Sequence, residues 1–418
     1  MLERFLTSCL RYLGLTVGAL FRSPDGQAQW RPRRMLLMLA FLPVLAVVQL
    51  IHWLGFLLDE ILFRGYRRIS IREPLFVLGV PRSGTTKLHR VLAEDARFTT
   101  FRTWECLFAL SITERRFWLG VAALDRRIGR PLGSLVEWLE SHVFGALDDV
   151  HPMTLSDPEE DYFALMPILS CFILVLPFPF SDHLWRMGRF DEQMPAAERK
   201  RILDFYERCL QKHLYVHGPD KRLLSKNAAF APLARSLVER FPDARFIGCL
   251  RDPIETVPSQ LSSIGPGLEL FGVPANSPVV RERMIDQLAF YYRNLAMAFD
   301  RLPSNRGVWV PMARMKEGIS ATLTAVYEQL GLPMTAAFAA TLAAEDHHTR
   351  AYRSGHRYHL GQFGLDVAEV RRRFGAAYAI PALGISPAHA ESEAPARPRP
   401  DEDPVSDDLT RAEEAISC

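Results

Sequence analysis

Apolar and polar positions over residues 69–380 alternate in two patterns, which predicts strands and helices joined by short loops. The run Leu75–Gly79 is continuously apolar, as expected for a parallel strand buried on both faces, and Lys87–Ala93 shortly after it has a helical pattern. Further along, Pro232–Phe241 places its apolar residues on one side of a helix, and Ala244–Leu250 reads as a second apolar strand. The alternation predicts an α/β fold in which a parallel sheet is flanked by helices.

An apolar helical segment near the N-terminus, Met35–Leu58, has 24 residues without Asp, Glu, Lys or Arg. At 1.5 Å per residue it is long enough to cross a hydrocarbon core of about 30 Å. Pro43, Gln49, His52 and Gly55 interrupt it, and arginines flank it on both sides, so the positive-inside rule assigns no orientation. Three interpretations therefore stay open: a helix that spans a membrane, a helix that lies in or dips into the interface, and a buried core helix.

These patterns divide the chain into three predicted regions. Residues 1–68 are basic and amphipathic and contain the membrane-associating segment 35–58. Residues 69–384 form the predicted α/β domain. Residues 385–418 carry nine acidic side chains and three arginines and are rich in Pro and Ala, which predicts a disordered acidic tail.

Composition excludes several classes of protein. Of the 418 residues, 48% are apolar, which excludes a disordered chain, and 23% are charged, which is too many for a polytopic transporter. Fifty basic residues against 48 acidic ones give a formal charge of +2, which argues against binding nucleic acid through a basic patch. Six cysteines without a CxxC pair predict neither a zinc site nor a disulfide framework.

The first chemical motif follows the strand Leu75–Gly79. Gly79 and Gly84 enclose four residues and are followed by Thr85 and Thr86, which is the outline of a phosphate-binding Walker A loop. A nucleoside triphosphate loop would have Lys where this chain has Thr85. Backbone N–H groups, hydroxyls and a helix N-terminus remain, and they suit a phosphate or a sulfate. The cation here is Arg82, inside the loop.

A second motif follows the strand Ala244–Leu250. Arg251 comes directly after the strand, and Ser259 lies eight residues later, about two helical turns away. A guanidinium and a hydroxyl are suited to holding a phosphate dianion. Lys226, in the string Leu224–Asn227, is one of only six lysines in a chain whose other 44 basic residues are arginines. Two polar turns after two apolar strands predict ligand chemistry at the carboxyl ends of the sheet.

The string VPRSGTTKL, Val80–Leu88, resembles the 5′-phosphosulfate loop of sulfotransferases that use 3′-phosphoadenosine 5′-phosphosulfate (PAPS). The bacterial branch that is similar to protein-tyrosine sulfotransferases carries Arg at the position of Arg82, as this chain does. The resemblance covers roughly residues 70–380. It implies PAPS as co-substrate and no metal, because the loop and its cations supply the positive charge. The residues it implies for cofactor binding are Arg82, Ser83, Gly84, Thr85, Thr86 and Lys226 for the phosphosulfate, with Arg251 and Ser259 for the 3′-phosphate.

The resemblance also implies catalytic roles. Arg82 and Lys226 are expected to stabilise the transferring group, and Glu105, in the string Thr103-Trp104-Glu105 of the bacterial group, is the predicted base. The alternatives for the base are His89, His151, Glu159 and Glu160.

Two departures from the family pattern remain. Lys87 stands where cytosolic members often have Trp, and the Arg-Lys-Gly cofactor motif is missing, so Arg353 or Arg357 is expected to substitute for it.

The acceptor is predicted to be a hydroxyl compound, lipid-like, glycan or other small molecule. The apolar run Ala164–Phe180 is broken by three prolines, which prevents a regular helix and suggests an apolar acceptor wall. With the segment 35–58 this predicts a membrane-associated enzyme. Its catalytic domain is expected to face the cytoplasm, where PAPS is made, and no Asn has a glycosylation context. The alternatives are a kinase that uses ATP and magnesium, or a non-catalytic membrane scaffold.

Overall fold

Five strands form one parallel sheet in the computed structural model, in the order β2-β3-β1-β4-β5. This confirms the predicted α/β class. The strands are β1 (Leu75–Gly79), β2 (Phe98–Thr99), β3 (Arg222–Asn227), β4 (Arg245–Leu250) and β5 (Gly307–Pro311). Strand β1 spans the predicted residues, and β4 begins one residue later than predicted.

The register of the three central strands aligns their carboxyl ends. Leu78 of β1 lies beside Asn227 of β3, and Gly79 lies beside Cys249 of β4. The segments that follow these strands therefore leave the sheet at the same edge. That edge is where an open parallel sheet binds its ligands.

The structure describes residues 1–21, 32–139, 142, 154–275, 277–349 and 359–384. Within them the helices are, in chain order, α1 (Leu2–Phe21), α2 (Pro32–Leu62), α3 (Thr85–Ala93), α4 (Thr103–Phe108), α5 (Ile112–Arg127), α6 (Pro131–Leu139), α7 (Asp182–Met187), α8 (Phe190–Gln193), α9 (Ala196–His217), α10 (Ala234–Arg240), α11 (Pro253–Leu270), α12 (Pro278–Phe299), α13 (Met312–Glu317), α14 (Ile319–Gln329), α15 (Ala336–Thr349), α16 (Val367–Arg373) and α17 (Gly375–Tyr378). Short 3₁₀ segments are Arg64–Arg68, Asp161–Ile168, Phe172–Val175, Ala228–Leu233, Leu360–Phe363 and Pro381–Leu383.

Both faces of the sheet are buried, and successive side chains along each strand point to opposite faces. Phe76 and Leu78 pack into one apolar core, while Leu75 and Val77 pack into a second core on the opposite face. The predicted helix over Pro232–Phe241 is shorter than expected. Pro232 lies in the preceding 3₁₀ segment, where its missing N–H group costs no helical hydrogen bond, and α10 begins after it.

The two N-terminal helices pack on the same compact unit as the sheet, which extends over Met1–Gly384. The predicted boundary between residues 68 and 69 therefore does not coincide with a break in the packing. Among the described residues, α2 is the one helix whose length and composition would allow it to cross a membrane. The predicted acidic tail, 385–418, lies outside the described residues.

Candidate functional site

The loop after β1 has the backbone of an anion-binding turn. Arg82 and Gly84 adopt positive φ angles of 66° and 86°, and α3 begins directly afterwards at Thr85. The residue before the helix is Gly84, which has no side chain to accept from the first N–H groups of α3. These donors are left for a ligand. Ser83 is fully buried and donates from Oγ to the carbonyl of Val80 at 2.6 Å. Its hydroxyl is therefore engaged, and only its backbone N–H group is left to donate to an anion.

Glycine is required at the base of this loop. A Cβ at Gly79 would lie 2.7 Å from the carbonyl oxygen of Cys249 on the neighbouring strand, where the backbones approach closely. A side chain at Gly84 would meet Met315 at 2.6 Å as well as needing the left-handed conformation. The Gly-x4-Gly spacing thus reflects close packing at both ends of the loop.

The second motif lies against the first. Arg251, which follows β4, donates from Nη1 to the carbonyl oxygen of Arg82 at 3.0 Å. Arg82 in turn donates from Nε to Oγ of Ser259 at 3.2 Å. Asp252 caps α11 by accepting from the N–H of Ile254 at 2.9 Å, which fixes where the helix that carries Ser259 begins. The structure therefore brings together the predicted phosphosulfate and 3′-phosphate residues.

Lys226 lies at the end of β3 and is almost fully buried. Its Nζ contacts Oε1 of Glu160 at 2.5 Å. Glu160 lines the cavity described below, whereas Lys226 is not one of its lining residues.

Asp161 supports this pair from behind. It accepts hydrogen bonds from Tyr206 at 2.6 Å, from Ser225 at 2.9 Å and from the Asn227 amide. Burial raises the pKa of Asp161 from 3.8 to about 6, although these three bonds oppose the rise. The network ties the segment that carries Glu160 to the end of β3.

A cavity of about 810 Å³ opens at this edge of the sheet, and its lining is of two kinds. The polar part contains the predicted residues Arg82, Gly84, Thr85, Thr86 and Arg251. The apolar part comes largely from the run predicted as an acceptor wall and from α11 and α12. Its main members are Tyr162, Phe172, Ile173, Val175, Leu176, Trp185, Ile264, Leu268, Met284 and Leu288.

Sequence reasoning missed several polar lining residues, which are Glu255, Gln260, Ser263, Gln287, Tyr291, Lys316 and His359. Lys316 could have been noticed, because it is another of the six lysines. The others carry no local motif. The packing of α11 and α12 around the loop brings five of them to the cavity, and His359 reaches it from the residue before the 3₁₀ segment Leu360–Phe363.

Glu105 is placed differently from the prediction. It is fully buried outside the cavity lining and accepts from Arg115 Nε and pairs with His217 Nε2, both at 2.7 Å. It also accepts from the backbone N–H of Arg102 in a capping box at the start of α4. Burial alone would raise the pKa of Glu105, but His213 and Arg115 outweigh it and hold the pKa well below its usual range. These surroundings are those of a structural carboxylate and do not support a role as base.

Glu105, His213 and His217 also have the spacing of metal ligands, since one ligand atom of each lies within 4.8 Å of the others. The carboxylate oxygen is already bonded to the buried guanidinium of Arg115, which balances its charge. A divalent cation would have to sit next to that guanidinium, which is unfavourable.

The other candidates for the base divide clearly. His89 is buried and bonded to Thr100 at 2.7 Å, and burial lowers its pKa well below the usual range, as in a packing residue. Glu159 is not a lining residue, and burial raises its pKa. His151, like Arg353 and Arg357, lies outside the described residues. Glu160 is the predicted carboxylate that reaches the cavity.

Comparison with known proteins agrees with this geometry. Residues 74–336 match the model of the sulfotransferase family, which is more than half of the chain. The chain is 29% identical over 194 residues to omega-hydroxy-beta-dihydromenaquinone-9 sulfotransferase Stf3 from Mycobacterium bovis and from Mycobacterium tuberculosis. That match covers 45% of this chain and 44% of each relative, so it spans less than half of their length.

Two solved structures have the same fold. The sulfotransferase STF1 from Mycobacterium tuberculosis has a TM-score of 0.64 at 19% identity, over 89% of this chain and 92% of that one. The sulfotransferase STF9 from Mycobacterium avium has a TM-score of 0.69 at 18% identity, over 89% and 94%.

Proposed function

Because the chain belongs to the sulfotransferase family, we propose that it transfers a sulfuryl group from PAPS to the hydroxyl group of a lipid-like acceptor. The observation that carries this proposal is the shared cavity. A phosphate-type loop with two arginines and a wall of apolar side chains line the same 810 Å³ space. An anionic donor and an apolar acceptor can therefore meet there.

The donor would bind along the polar part of the cavity. The N–H groups of Ser83, Gly84 and Thr85, with the hydroxyls of Thr85 and Thr86, suit the 5′-phosphosulfate. Arg251 and Ser259 suit the 3′-phosphate, because a guanidinium and a hydroxyl there hold a dianion that ATP lacks.

Arg82 and Lys226 supply positive charge for the transfer. Arg82 lines the cavity, and Lys226 is paired with Glu160 at the end of β3. In an in-line displacement the acceptor oxygen forms a bond to sulfur while the bond from sulfur to the phosphate oxygen breaks. The charge that collects on the equatorial and leaving oxygens is stabilised by such preorganised cations.

We assign the base to Glu160. Its carboxylate faces the cavity and would take the proton of the acceptor hydroxyl as that oxygen attacks sulfur, leaving 3′,5′-ADP as the other product. The ion pair with Lys226 holds the Glu160 side chain in place at the cavity.

The acceptor is proposed to be a hydroxylated lipid. The relatives from Mycobacterium are named for a hydroxylated menaquinone derivative, and the apolar wall of this cavity suits an acceptor with a long hydrocarbon part. We further propose that the protein is membrane-associated, with residues 1–68 as the associating region, 69–384 as the sulfotransferase domain facing the cytoplasm, and 385–418 as an acidic tail.

Ligand-dependent stability tests the donor. We expect 3′,5′-ADP to raise the melting temperature of the full chain without magnesium, and ATP with magnesium to leave it unchanged. The opposite result would indicate a kinase. Transfer of label from radiolabelled PAPS to a lipid extract then separates an enzyme from a non-catalytic scaffold. A scaffold would transfer no label, whether or not it binds 3′,5′-ADP.

A further inference from the structure

Exposed apolar side chains are concentrated in one part of the molecule. Of the 32 large apolar side chains exposed in the described residues, 29 lie before residue 140. Ten belong to α2, and ten more belong to the hairpin that α5 and α6 form, which we define as residues 117–139. A soluble monomer scatters such residues over its surface, so this concentration marks an interaction surface.

Helix α2 is bound to the body along its inner side by polar contacts. Gln49 Nε2 donates to the carbonyl of Met166 at 2.9 Å, and His52 Nδ1 lies 2.7 Å from the carboxylate of Glu114. Nearer its end, Lys212 Nζ contacts the buried Asp59 at 2.7 Å. If α2 crossed a bilayer, these groups would enter hydrocarbon without partners, which is costly. The helix therefore presents only its outer side to lipid.

The hairpin is a second apolar element that extends from the body. No residue between Arg115 and Asp125 is buried, although this part of α5 includes Phe117 and Trp118. The turn is well built, because the Asp125 carboxylate accepts from the N–H groups of Leu132 and Gly133 at 2.8 and 2.9 Å. Within the part of the chain that the structure describes, the hairpin is thus an ordered structure whose apolar side chains enter no core.

The two elements join into one surface. A groove of about 410 Å³ lies between them, lined by Ile51 and Leu54 of α2 and by Phe117 and Trp118 of α5. Helix α1 packs beside α2, since Phe5 and Trp53 have ring centroids 5.5 Å apart, and the exposed Leu6, Leu10 and Leu13 of α1 add to the surface.

The charges around this surface identify the partner. In residues 1–21, 32–68 and 112–139, eight arginines are exposed against two glutamates, Glu3 and Glu137. Arg33 lies in the first turn of α2, three arginines follow that helix, and four lie in α5 or in the turn after it. The seven are Arg64, Arg67, Arg68, Arg116, Arg126, Arg127 and Arg130. Apolar side chains edged by arginines and including tryptophans suit a bilayer that contains anionic lipids.

We propose that the outer sides of α1 and α2 and the hairpin 117–139 form a single docking surface that enters one leaflet of an anionic bilayer without crossing it. The run 164–180, which supplies part of the apolar wall, packs against this region, because the rings of Phe178 and of Phe41 in α2 have centroids 6.2 Å apart. A lipid acceptor could therefore reach the cavity from the leaflet. That route rests on the proposed function, whereas the docking itself does not.

Vesicle flotation of the full chain tests the proposal, using phosphatidylcholine vesicles with and without phosphatidylglycerol. The hairpin variant is Phe117→Glu, Trp118→Glu and Leu124→Glu. The matched control is Leu270→Glu and Met297→Glu, which changes exposed apolar residues elsewhere. We expect the hairpin variant to lower the vesicle-bound fraction about tenfold or more. The control should bind as the wild type does, and phosphatidylglycerol should strengthen the binding of both.

Three outcomes would overturn the proposal. The first is wild-type vesicle binding by the hairpin variant. The second is a flank of α2 that external protease cuts only after the vesicles are opened, while the other flank is cut at once, which would show that the helix crosses the bilayer. The third is a hairpin variant that loses a dimer but keeps its vesicle binding. The shift of melting temperature with 3′,5′-ADP, measured on both variants, shows whether they are folded and tests the proposed function separately. Quenching of fluorescence by brominated lipid gives a second readout on the wild-type surface. The quenching that is lost in Trp118→Phe is the part that comes from Trp118.

Discussion

Arg82 and Ser259 are 177 residues apart in the chain, and the Nε of Arg82 donates to the Oγ of Ser259 at 3.2 Å. Their contact follows from the sheet, because β1 and β4 are neighbours and both residues lie beyond the carboxyl ends of these strands. Arg251 adds a second link through the carbonyl of Arg82. The proposed phosphosulfate and 3′-phosphate positions are therefore held at a fixed separation, which suits one ligand that carries both groups.

Ser259→Ala is expected to weaken binding of 3′,5′-ADP about 10- to 100-fold, since a hydrogen bond to a charged group contributes about 1.5–3 kcal/mol. Binding of 5′-AMP, which lacks the 3′-phosphate, should not change. Isothermal titration with both nucleotides measures the ratio. Ser262→Ala on the same helix is the control, and it should leave both affinities unaltered. An equal loss for the two nucleotides would place the 3′-phosphate elsewhere.

Arg82→Ala should lower kcat about 10²- to 10³-fold, because it removes a cation positioned for the transferring group. Arg82→Lys should recover part of the rate, since an ammonium supplies charge but only as a point donor. Transfer from radiolabelled PAPS measures both. A rate unchanged in Arg82→Ala would show that the loop binds the donor without taking part in transfer.

Glu160→Gln should lower kcat about 10²- to 10⁴-fold with little change in the affinity for 3′,5′-ADP, because it removes the proton acceptor. Glu255→Gln is the matched control. Glu255 also lines the cavity, but it pairs with Arg251 at 2.7 Å, so its loss should affect nucleotide affinity and leave kcat near that of the wild type. If Glu160→Gln kept the wild-type kcat, another group would have to be the base.

The sequence was sufficient to predict the parallel sheet and the donor loop, because buried parallel strands are continuously apolar and the loop depends on adjacent residues. It was not sufficient to place Glu105, whose partners Arg115 and His217 come from two other helices. The choice between Glu159 and Glu160 depends on how the chain enters the 3₁₀ segment at Asp161. The direction in which the chain enters this segment results from tertiary packing, and a local sequence pattern does not contain that information.

Glu105→Gln should destabilise the fold by about 3–5 kcal/mol, because it leaves the buried guanidinium of Arg115 without its counter-charge. Chemical denaturation measures the loss, and kcat per folded molecule should stay near that of the wild type. Glu137→Gln, which affects an exposed pair with Arg130, should have almost no effect. Unaltered stability combined with a large loss of kcat would restore Glu105 as the base.

Asp161→Asn should change how stability depends on pH. Burial raises the pKa of Asp161 from 3.8 to about 6, so the folded protein binds this proton more tightly than the unfolded chain does. The resulting stabilisation is complete below pH 3.8 and is lost as the pH rises through 6. The loss amounts to about 3 kcal/mol, because each step of one in pKa corresponds to about 1.4 kcal/mol.

Denaturation of the wild type and of Asp161→Asn from pH 4 to pH 7.5 measures this loss. The difference in unfolding free energy between the two should move by about 2.5 kcal/mol in favour of the variant over that range, since a small part of the loss has already occurred at pH 4. Asp300→Asn, an exposed position, controls for general charge effects. A difference that stayed constant with pH would mean that Asp161 is ionised throughout. In that case the hydrogen bonds from Tyr206, Ser225 and Asn227 stabilise an ionised Asp161 carboxylate. The negative charge near Lys226 would then come from Asp161 as well as from Glu160.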